Sequence, residues 1–176
     1  VISFRRLSRG DFGLLSDWFQ RPHVWPWWRE SHELVDIEAR YGPAIDGADA
    51  TEVFIVELDG RAIGLIQWYR MIDNPEWRDA LAAAHVGDDA AGMDYLIGDE
   101  HLLGQGLGPR MVTDFVAEVA PRYPTIGSIA LSVAQDNRRS WRMLEGLGFR
   151  RVWEGEIVSP DPSDEGPSFV YVRGVR

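Results

Sequence analysis

Apolar and polar residues alternate over Ile2-Ser3-Phe4-Arg5-Arg6-Leu7, the two-residue period of a strand with one buried face. The period then lengthens. Ser8 or Asp11 can cap a helix whose apolar face is Phe12, Leu14, Leu15, Trp18 and Phe19. Ser31 to Ile45 repeats the helical pattern through Leu34, Ile37, Ala39 and Tyr41. Between them, Arg21 to Trp28 follows neither period. Its two prolines and three tryptophans, Trp25, Trp27 and Trp28, predict a loop. The flat rings either lie down on the core or wall a ligand pocket. Thr51–Leu58 and Arg61–Tyr69 predict strands joined by the hairpin turn Asp59-Gly60, with Ala62, Gly64 and Ile66 on one face.

From Met71 to Ala91 the periodicity fails, and only a short helix around Arg78–Ala84 is predicted. An insert of this length inside a compact domain is usually functional or mobile. The apolar run Met93–Gly98 predicts a central strand, and Met111–Ala120 an amphipathic helix. Ser128–Ala134 reads as a buried strand. Asn137–Leu147 reads as a helix carrying Trp141, Leu144 and Leu147 on one side and ended by Gly148. Strands Phe149–Ile157 and Ser168–Arg173 close the chain around the polar loop Ser159–Pro167. Neither an internal repeat nor a linker interrupts this order, so one domain, 1–176, is expected.

Between the central strand and its helix lies Leu103-Gly104-Gln105-Gly106-Leu107-Gly108-Pro109-Arg110. Glycines admit left-handed backbone and bring N–H groups close to a ligand. The helix start adds unpaired N–H groups and partial positive charge. Together they suit phosphate. Pro109 fits a first helical position. The Gly-x-Gly-x-Gly spacing is neither that of a dinucleotide fold nor that of a nucleoside-triphosphate loop, and a plain tight turn is the competing reading.

Charge narrows the partners. With 18 basic and 28 acidic residues the chain carries −10, which disfavours a nucleic-acid backbone and suits a cationic small molecule, or simply an acidic protein. There is no cysteine, hence no disulfide, thiolate metal site or thiol nucleophile. The four histidines lack metal-like spacing, so no metal is expected. No apolar run approaches ~18 residues, so no membrane span is expected. No basic-then-apolar leader is visible, which makes a cytoplasmic location the expectation.

Two motifs carry a resemblance to the GNAT superfamily of acyl-CoA-dependent N-acetyltransferases. One is Leu103-Gly104-Gln105-Gly106-Leu107-Gly108, similar to the superfamily's pyrophosphate loop. The more specific is Asn137-Arg138-Arg139-Ser140 running to Gly148-Phe149. The resemblance extends over nearly the whole chain. It implies an α/β (α+β) fold: a mixed, mostly antiparallel central sheet, splayed at the acyl-CoA site and flanked by helices. Within the superfamily, His23-Val24-Trp25-Pro26-Trp27-Trp28, Gly64-Leu65-Ile66-Gln67 and Gly92-Met93-Asp94 resemble the aminoglycoside 6'-N-acetyltransferases. Acyltransferases of hydroxamate siderophore synthesis share much of this pattern.

The resemblance implies acetyl-CoA as co-substrate, held by the N–H groups of Gln105, Gly106, Leu107, Gly108 and Arg110. Leu103 and Pro109 frame the loop, and Leu103 stands where Arg or Gln is common. Free backbone groups at Leu96 and Gly98 would bind pantetheine and the thioester oxygen. Asn137 would bind pantetheine, or cap its helix, with Ser140 close by. Leu144 stands where the superfamily often has the tyrosine that protonates the leaving thiolate.

An aliphatic amine is mostly protonated at pH 7 and must lose a proton to attack. Asp94, in an apolar strand where an unpaired charge is expensive, is the expected base, with Asp136 second. Glu100 reads as a solvated loop residue. Trp25, Trp28, Asp73 and Trp77, with Asp94 and Asp136, are the expected acceptor contacts, and the acidic insert a rim for a polycation. The acceptor is then an aminoglycoside-type amine, or a hydroxylated lysine or ornithine side chain. The alternative from another class is a non-catalytic acyl-CoA-binding module. A monomer or homodimer is expected.

Overall fold

A computed structural model describes residues 1–175. In chain order its elements are β1 (Ile2–Arg6), α1 (Phe12–Phe19), α2 (Trp25–Trp28), α3 (Leu34–Asp46), β2 (Glu52–Leu58), β3 (Arg61–Arg70), α4 (Pro75–Ala80), β4 (Ala90–Ile97), α5 (Leu107–Val119), β5 (Ser128–Ala134), α6 (Arg138–Gly146), β6 (Arg150–Glu156) and β7 (Pro167–Gly174). The chain forms two compact units. One is Val1–Trp68 with Asp94–Leu107, and the other is Tyr69–Met93 with the chain from Gly108 onward. The strands follow the order β1-β2-β3-β4-β5-β7-β6, and β3 and β4 each contribute to both units. This is the expected mixed, mostly antiparallel sheet flanked by helices.

In the first unit β1 pairs antiparallel with β2, from Ile2↔Leu58 to Arg6↔Phe54. β2 turns into β3 through Asp59 and Gly60, whose φ values of 52° and 81° are the two positive angles that a tight hairpin of this hand requires. Leu15, Trp18 and Phe19 of α1 and Ile37 and Tyr41 of α3 bury against Ile55 and Leu65 of the sheet. Ser8 precedes a 3-10 turn, Arg9–Asp11, that leads into α1, and Asp11 stands at the cap position of α1 without a side-chain bond into the helix. The Ser8 backbone and hydroxyl donate to Asp11 Oδ2, and Arg5 grips the same carboxylate through two nitrogens at 2.8 and 2.7 Å. Burial pushes the Asp11 carboxyl up, but the hydrogen bonds from Arg5 and Ser8 outweigh it and hold the group below its usual range. Helix α3 begins three residues later than predicted, because the Ser31 hydroxyl accepts from the Glu33 N–H in a turn ahead of the helix.

In the second unit β4 runs parallel to β5 over three pairs, Ala90↔Ser128, Ala91↔Ile129 and Gly92↔Ala130. Strands of eight and seven residues therefore share a short ladder. β5 and β6 both pair antiparallel with β7, the latter with a register shift between Arg151 and Trp153. Met111, Val112, Phe115, Val116 and Val119 are the buried stripe of α5. The insert is ordered differently from expectation. Pro75 starts α4 three residues before Arg78, at a position where its missing N–H has no helical partner to lose. Trp77, Ala80 and Leu81 then turn onto Met71, Ala84 and Ala90.

Candidate functional site

The glycine loop begins where Asp99 caps a one-turn 3-10 helix, its Oδ1 accepting from the His101 N–H at 3.0 Å. Gly104 and Gly106 take φ of 78° and 74°, and a Cβ at either would meet open space. Their requirement is therefore conformational: the left-handed turns disfavour any side chain. The Gln105 side chain turns back to the His101 carbonyl at 2.6 Å, which leaves the loop's outer side to backbone. Helix α5 starts at Leu107, two residues earlier than the Pro109 start predicted. Pro109 still falls among the first four helical residues, whose N–H groups have no intrahelical acceptor. Leu103 is half-buried, Leu107 is buried and Arg110 is exposed. At Gly108 a Cβ would stand 2.9 Å from Met143 Sδ, so the glycine lets α6 close on the start of α5.

Asn137 is the cap of α6, its Oδ1 accepting from the Ser140 N–H at 3.3 Å. The cap uses the carbonyl oxygen and not the amide N–H₂. Leu144 is fully buried, so a core residue fills the place of the usual tyrosine.

At the end of β4 the structure corrects one expectation. The Gly98 N–H donates to the Ile63 carbonyl at 2.8 Å, and Arg21 Nη1 donates to the Gly98 carbonyl at 2.9 Å. The Leu96 carbonyl lies 2.3 Å from where a Gly64 Cβ would be. The Gly98 groups are thus committed to β3 and to Arg21, not free for a thioester, and the Leu96 carbonyl lies close against Gly64 of β3. His23 Nε2 sits 3.0 Å from the Ile97 carbonyl. The carbonyl can only accept, so Nε2 carries the proton and Nδ1 is left unprotonated in the neutral ring.

Asp94 is half-buried on β4, and Gln67 Nε2 of β3 donates to its Oδ2 at 3.2 Å. Asp136 is exposed in the turn after β5, where its backbone carbonyl accepts from the Arg138 N–H at 2.8 Å. The tryptophans divide. Trp25 is 49% exposed, whereas Trp28 stacks on Phe19 with ring centroids 6.1 Å apart, and Trp77 packs into the second unit's core. The predicted loop around them contains the helical turn α2, which has Pro26 in its first turn and is stopped by Arg29 at φ 54°. Much of the acidic insert is paired: Asp73 with Arg70 at 2.6 Å, Asp79 and Asp88 with Arg78 at 3.2 and 3.4 Å.

Sequence reasoning assigned no role to Gln67, Arg21 or His23 individually. Gln67 had a signal: it is the one polar residue in the run Ile63–Trp68, all of which is buried. Among the described residues no cluster of three His, Asp or Glu side chains could hold a metal ion, and no helix is long and apolar enough to cross a membrane.

Comparison with known proteins agrees in kind. Residues 8–157 match the family described as acetyltransferase (GNAT) domain. Aminoglycoside N(6')-acetyltransferase type 1 from Klebsiella pneumoniae is 26% identical over 98% of this chain and 82% of its own length, and a protein of the same name from Serratia marcescens matches equally. The crystal structure of aminoglycoside acetyltransferase AAC(6')-Ib with coenzyme A and kanamycin superposes with a TM-score of 0.81 at 25% identity, over 99% of this chain and 95% of that one. A spermidine N-acetyltransferase chimera from Vibrio cholerae and hSSAT shares the fold, with a TM-score of 0.74 at 16% identity over 99% and 95% of the two chains.

Proposed function

The chain belongs to the GNAT acetyltransferase family and is an N-acetyltransferase, and from this we propose that it moves the acetyl group of acetyl-CoA directly to a primary amine of an aminoglycoside-type antibiotic. Asp94 carries this reading: a half-buried carboxylate on β4, held at one oxygen by Gln67, just ahead of the glycine loop. The relatives' names support the acceptor class, and a neighbouring structure with kanamycin and coenzyme A supports the pairing of acceptor and cofactor.

The steps follow from charge and geometry. The N–H groups of Gln105 to Gly108 and of Arg110 bind the pyrophosphate, the role for which a glycine loop and helix start are suited. Asn137 and Ser140 hold pantetheine. The acceptor's ammonium gives a proton to Asp94, directly or through water. Its nitrogen then attacks the thioester carbonyl carbon, the C–N bond forms and the C–S bond breaks. The second amine proton leaves the new amide nitrogen through water, and the coenzyme thiolate takes up a proton. With Leu144 in the usual acid's place, the proton shed by the amide nitrogen reaches the thiolate through water, and a thiol of ordinary acidity is mostly protonated near pH 7. Trp25 offers an exposed ring to the acceptor's body. Asp136, exposed after β5, is assigned as charge for a remaining ammonium group, whereas Asp73 would first have to leave Arg70.

A thiol-release assay with acetyl-CoA tests the proposal against aminoglycosides, polyamines, and hydroxylated lysine and ornithine. Turnover strongest with aminoglycosides is expected. Turnover confined to the hydroxylated amino acids moves the assignment to a siderophore-type reaction. Coenzyme binding without turnover of any amine overturns catalysis of this kind.

A further inference from the structure

Residues 104–106 are the exposed part of the glycine loop, and Gly104 and Gly106 have open space where a side chain would stand. Packing therefore does not hold this stretch, and glycine loses more conformational freedom on ordering than any other residue. A loop that is loose when empty must be ordered on binding, which weakens affinity. What ties this one down is a run of hydrogen bonds that starts on β3. Arg61, the first residue of β3, donates from Nη2 to Asp99 Oδ2 at 2.5 Å. Asp99 Oδ1 accepts from the His101 N–H at 3.0 Å. The His101 carbonyl accepts from Gln105 Nε2 at 2.6 Å. A carbonyl can only accept, which dictates the orientation of the Gln105 amide. Gln105 stands between the two left-handed glycines, so the run ends at the middle of the loop. All four residues lie in the first unit.

We propose that Asp99 and Gln105 are positioning residues for the coenzyme: acting through His101, they brace the glycine loop in the shape that presents its N–H groups to the pyrophosphate. This rests on the reading of the loop as the pyrophosphate site given above. The contacts in the brace differ in weight. The Asp99 side chain is 14% exposed and that of Arg61 is 72% exposed, so water screens the ion pair and it contributes little. The weight falls on the bond to the His101 N–H, which caps the one-turn helix Glu100–Leu102 from which the loop departs. Gly98, just before, is held at both its N–H and its carbonyl, so the brace is anchored to a fixed point. Gln105 then has two roles on separate atoms. Its backbone N–H serves the phosphate and its side chain holds the turn.

The test measures acetyl-CoA Kd by calorimetry, and the KM of the amine that turns over fastest at saturating acetyl-CoA. The variants are Asp99→Ala, Asp99→Asn, Gln105→Met, the double variant with Asp99→Ala and Gln105→Met, and Gly106→Val. Asp99→Ala and Gln105→Met should each raise the Kd about 5-fold, ~1 kcal/mol, while the acceptor KM stays within ~2-fold. Asp99→Asn keeps an oxygen for the His101 N–H and should recover most of the affinity. The double variant should lose about 5- to 10-fold rather than ~25-fold, because both substitutions open one brace. A Kd within ~2-fold of wild type in both single variants overturns the brace, and so does a ~25-fold loss in the double variant, the sum of two independent contacts. A parallel rise in Kd and acceptor KM, the mark of a merely structural role, overturns it too. Gly106→Val separates the brace from the reading beneath it. If that variant folds and binds acetyl-CoA as wild type does, the loop leaves the site and the brace goes with it. A loss there with none at Asp99 or Gln105 removes only the brace.

Discussion

The glycine loop and the Asp94–Gln67 pair present opposite kinds of group to a ligand. The loop is exposed over Gly104–Gly106, these two glycines stand in open space, and what they offer is backbone N–H in left-handed turns. The pair is buried or half-buried, and what it offers is side-chain oxygen, joined by the Gln67 amide bond to Asp94. Backbone recognition tolerates most side-chain changes outside the glycines. Side-chain recognition in a packed strand tolerates very few. Substitutions in the two regions should therefore fail differently, the first in coenzyme binding and the second in acceptor chemistry.

The sharpest division comes at Asp94. General-base catalysis is typically worth ~10²–10⁴-fold. Asp94→Asn keeps the shape and loses the charge, so kcat should fall by about that factor while affinity for acetyl-CoA stays within ~3-fold. A variant with most of the wild-type rate would erase the contrast between the regions and move the base to Asp136.

The tryptophans make a second, smaller division. Truncating a buried aromatic costs ~3–5 kcal/mol, and Trp77 is only partly buried, so Trp77→Ala should lose about 2 kcal/mol by urea unfolding with the acceptor KM unmoved. Trp25→Ala should do the reverse, raising the acceptor KM several-fold with little loss of stability, because its ring is half exposed. If both simply lower stability, the exposed ring belongs to folding and not to the acceptor.

At the loop the expected loss is about 1.4 kcal/mol. Gly106 has φ 74°, so Gly106→Val strains the turn even though space is available. Acetyl-CoA binding by calorimetry should weaken ~10-fold or more. Gly108→Ala should act by another route, since its Cβ would press on Met143 Sδ. Unchanged binding in a folded Gly106→Val would take the loop out of the site.

Which of these parts the sequence disclosed follows from their physics. Left-handed backbone is written in glycine, so the loop was legible, and so was the cap at Asn137. The strands and long helices were legible from the two- and 3.6-residue periods. Short helices were not: α2 is four residues, with a proline among its tryptophans, and periodicity needs more than one turn to show. Partners across the sheet were not legible either. Nothing local says that Gln67 meets Asp94 or that Arg21 holds the Gly98 carbonyl, because those contacts exist only once β3, β4 and the α1–α2 turn are in register. Burial divided the tryptophans on the same non-local ground.

The smallest effect concerns two carboxylates of equal burial. Asp11 and Asp164 are each 8% exposed. Asp11 has Arg5 against it and is held below its usual range. Asp164 faces Ser132, whose hydroxyl donates at 3.1 Å, and Ser159, with Asp161 as a like charge and no cation paired with it among the described residues. Burial pushes its carboxyl from 3.8 up to about 6. A raised acid pKa means that the folded chain keeps its proton where the unfolded chain has lost it. Stability contributed by Asp164 is thus present below pH ~4 and is lost as pH rises to about 6. The full shift corresponds to about 3 kcal/mol as a ceiling, and relaxation around the group should leave roughly 1 kcal/mol. Asp164→Asn keeps an acceptor for Ser132 and cannot ionise. In urea unfolding the variant should exceed wild type by roughly 1 kcal/mol at pH 7, and the gain should fade towards pH 4. Asp11→Asn should do the opposite, losing stability at pH 7 because Arg5 loses the carboxylate it grips through two nitrogens and keeps only Glu57. A gain at Asp164 that is the same at both pH values would place its origin in packing, and the cation would no longer be what separates the two sites.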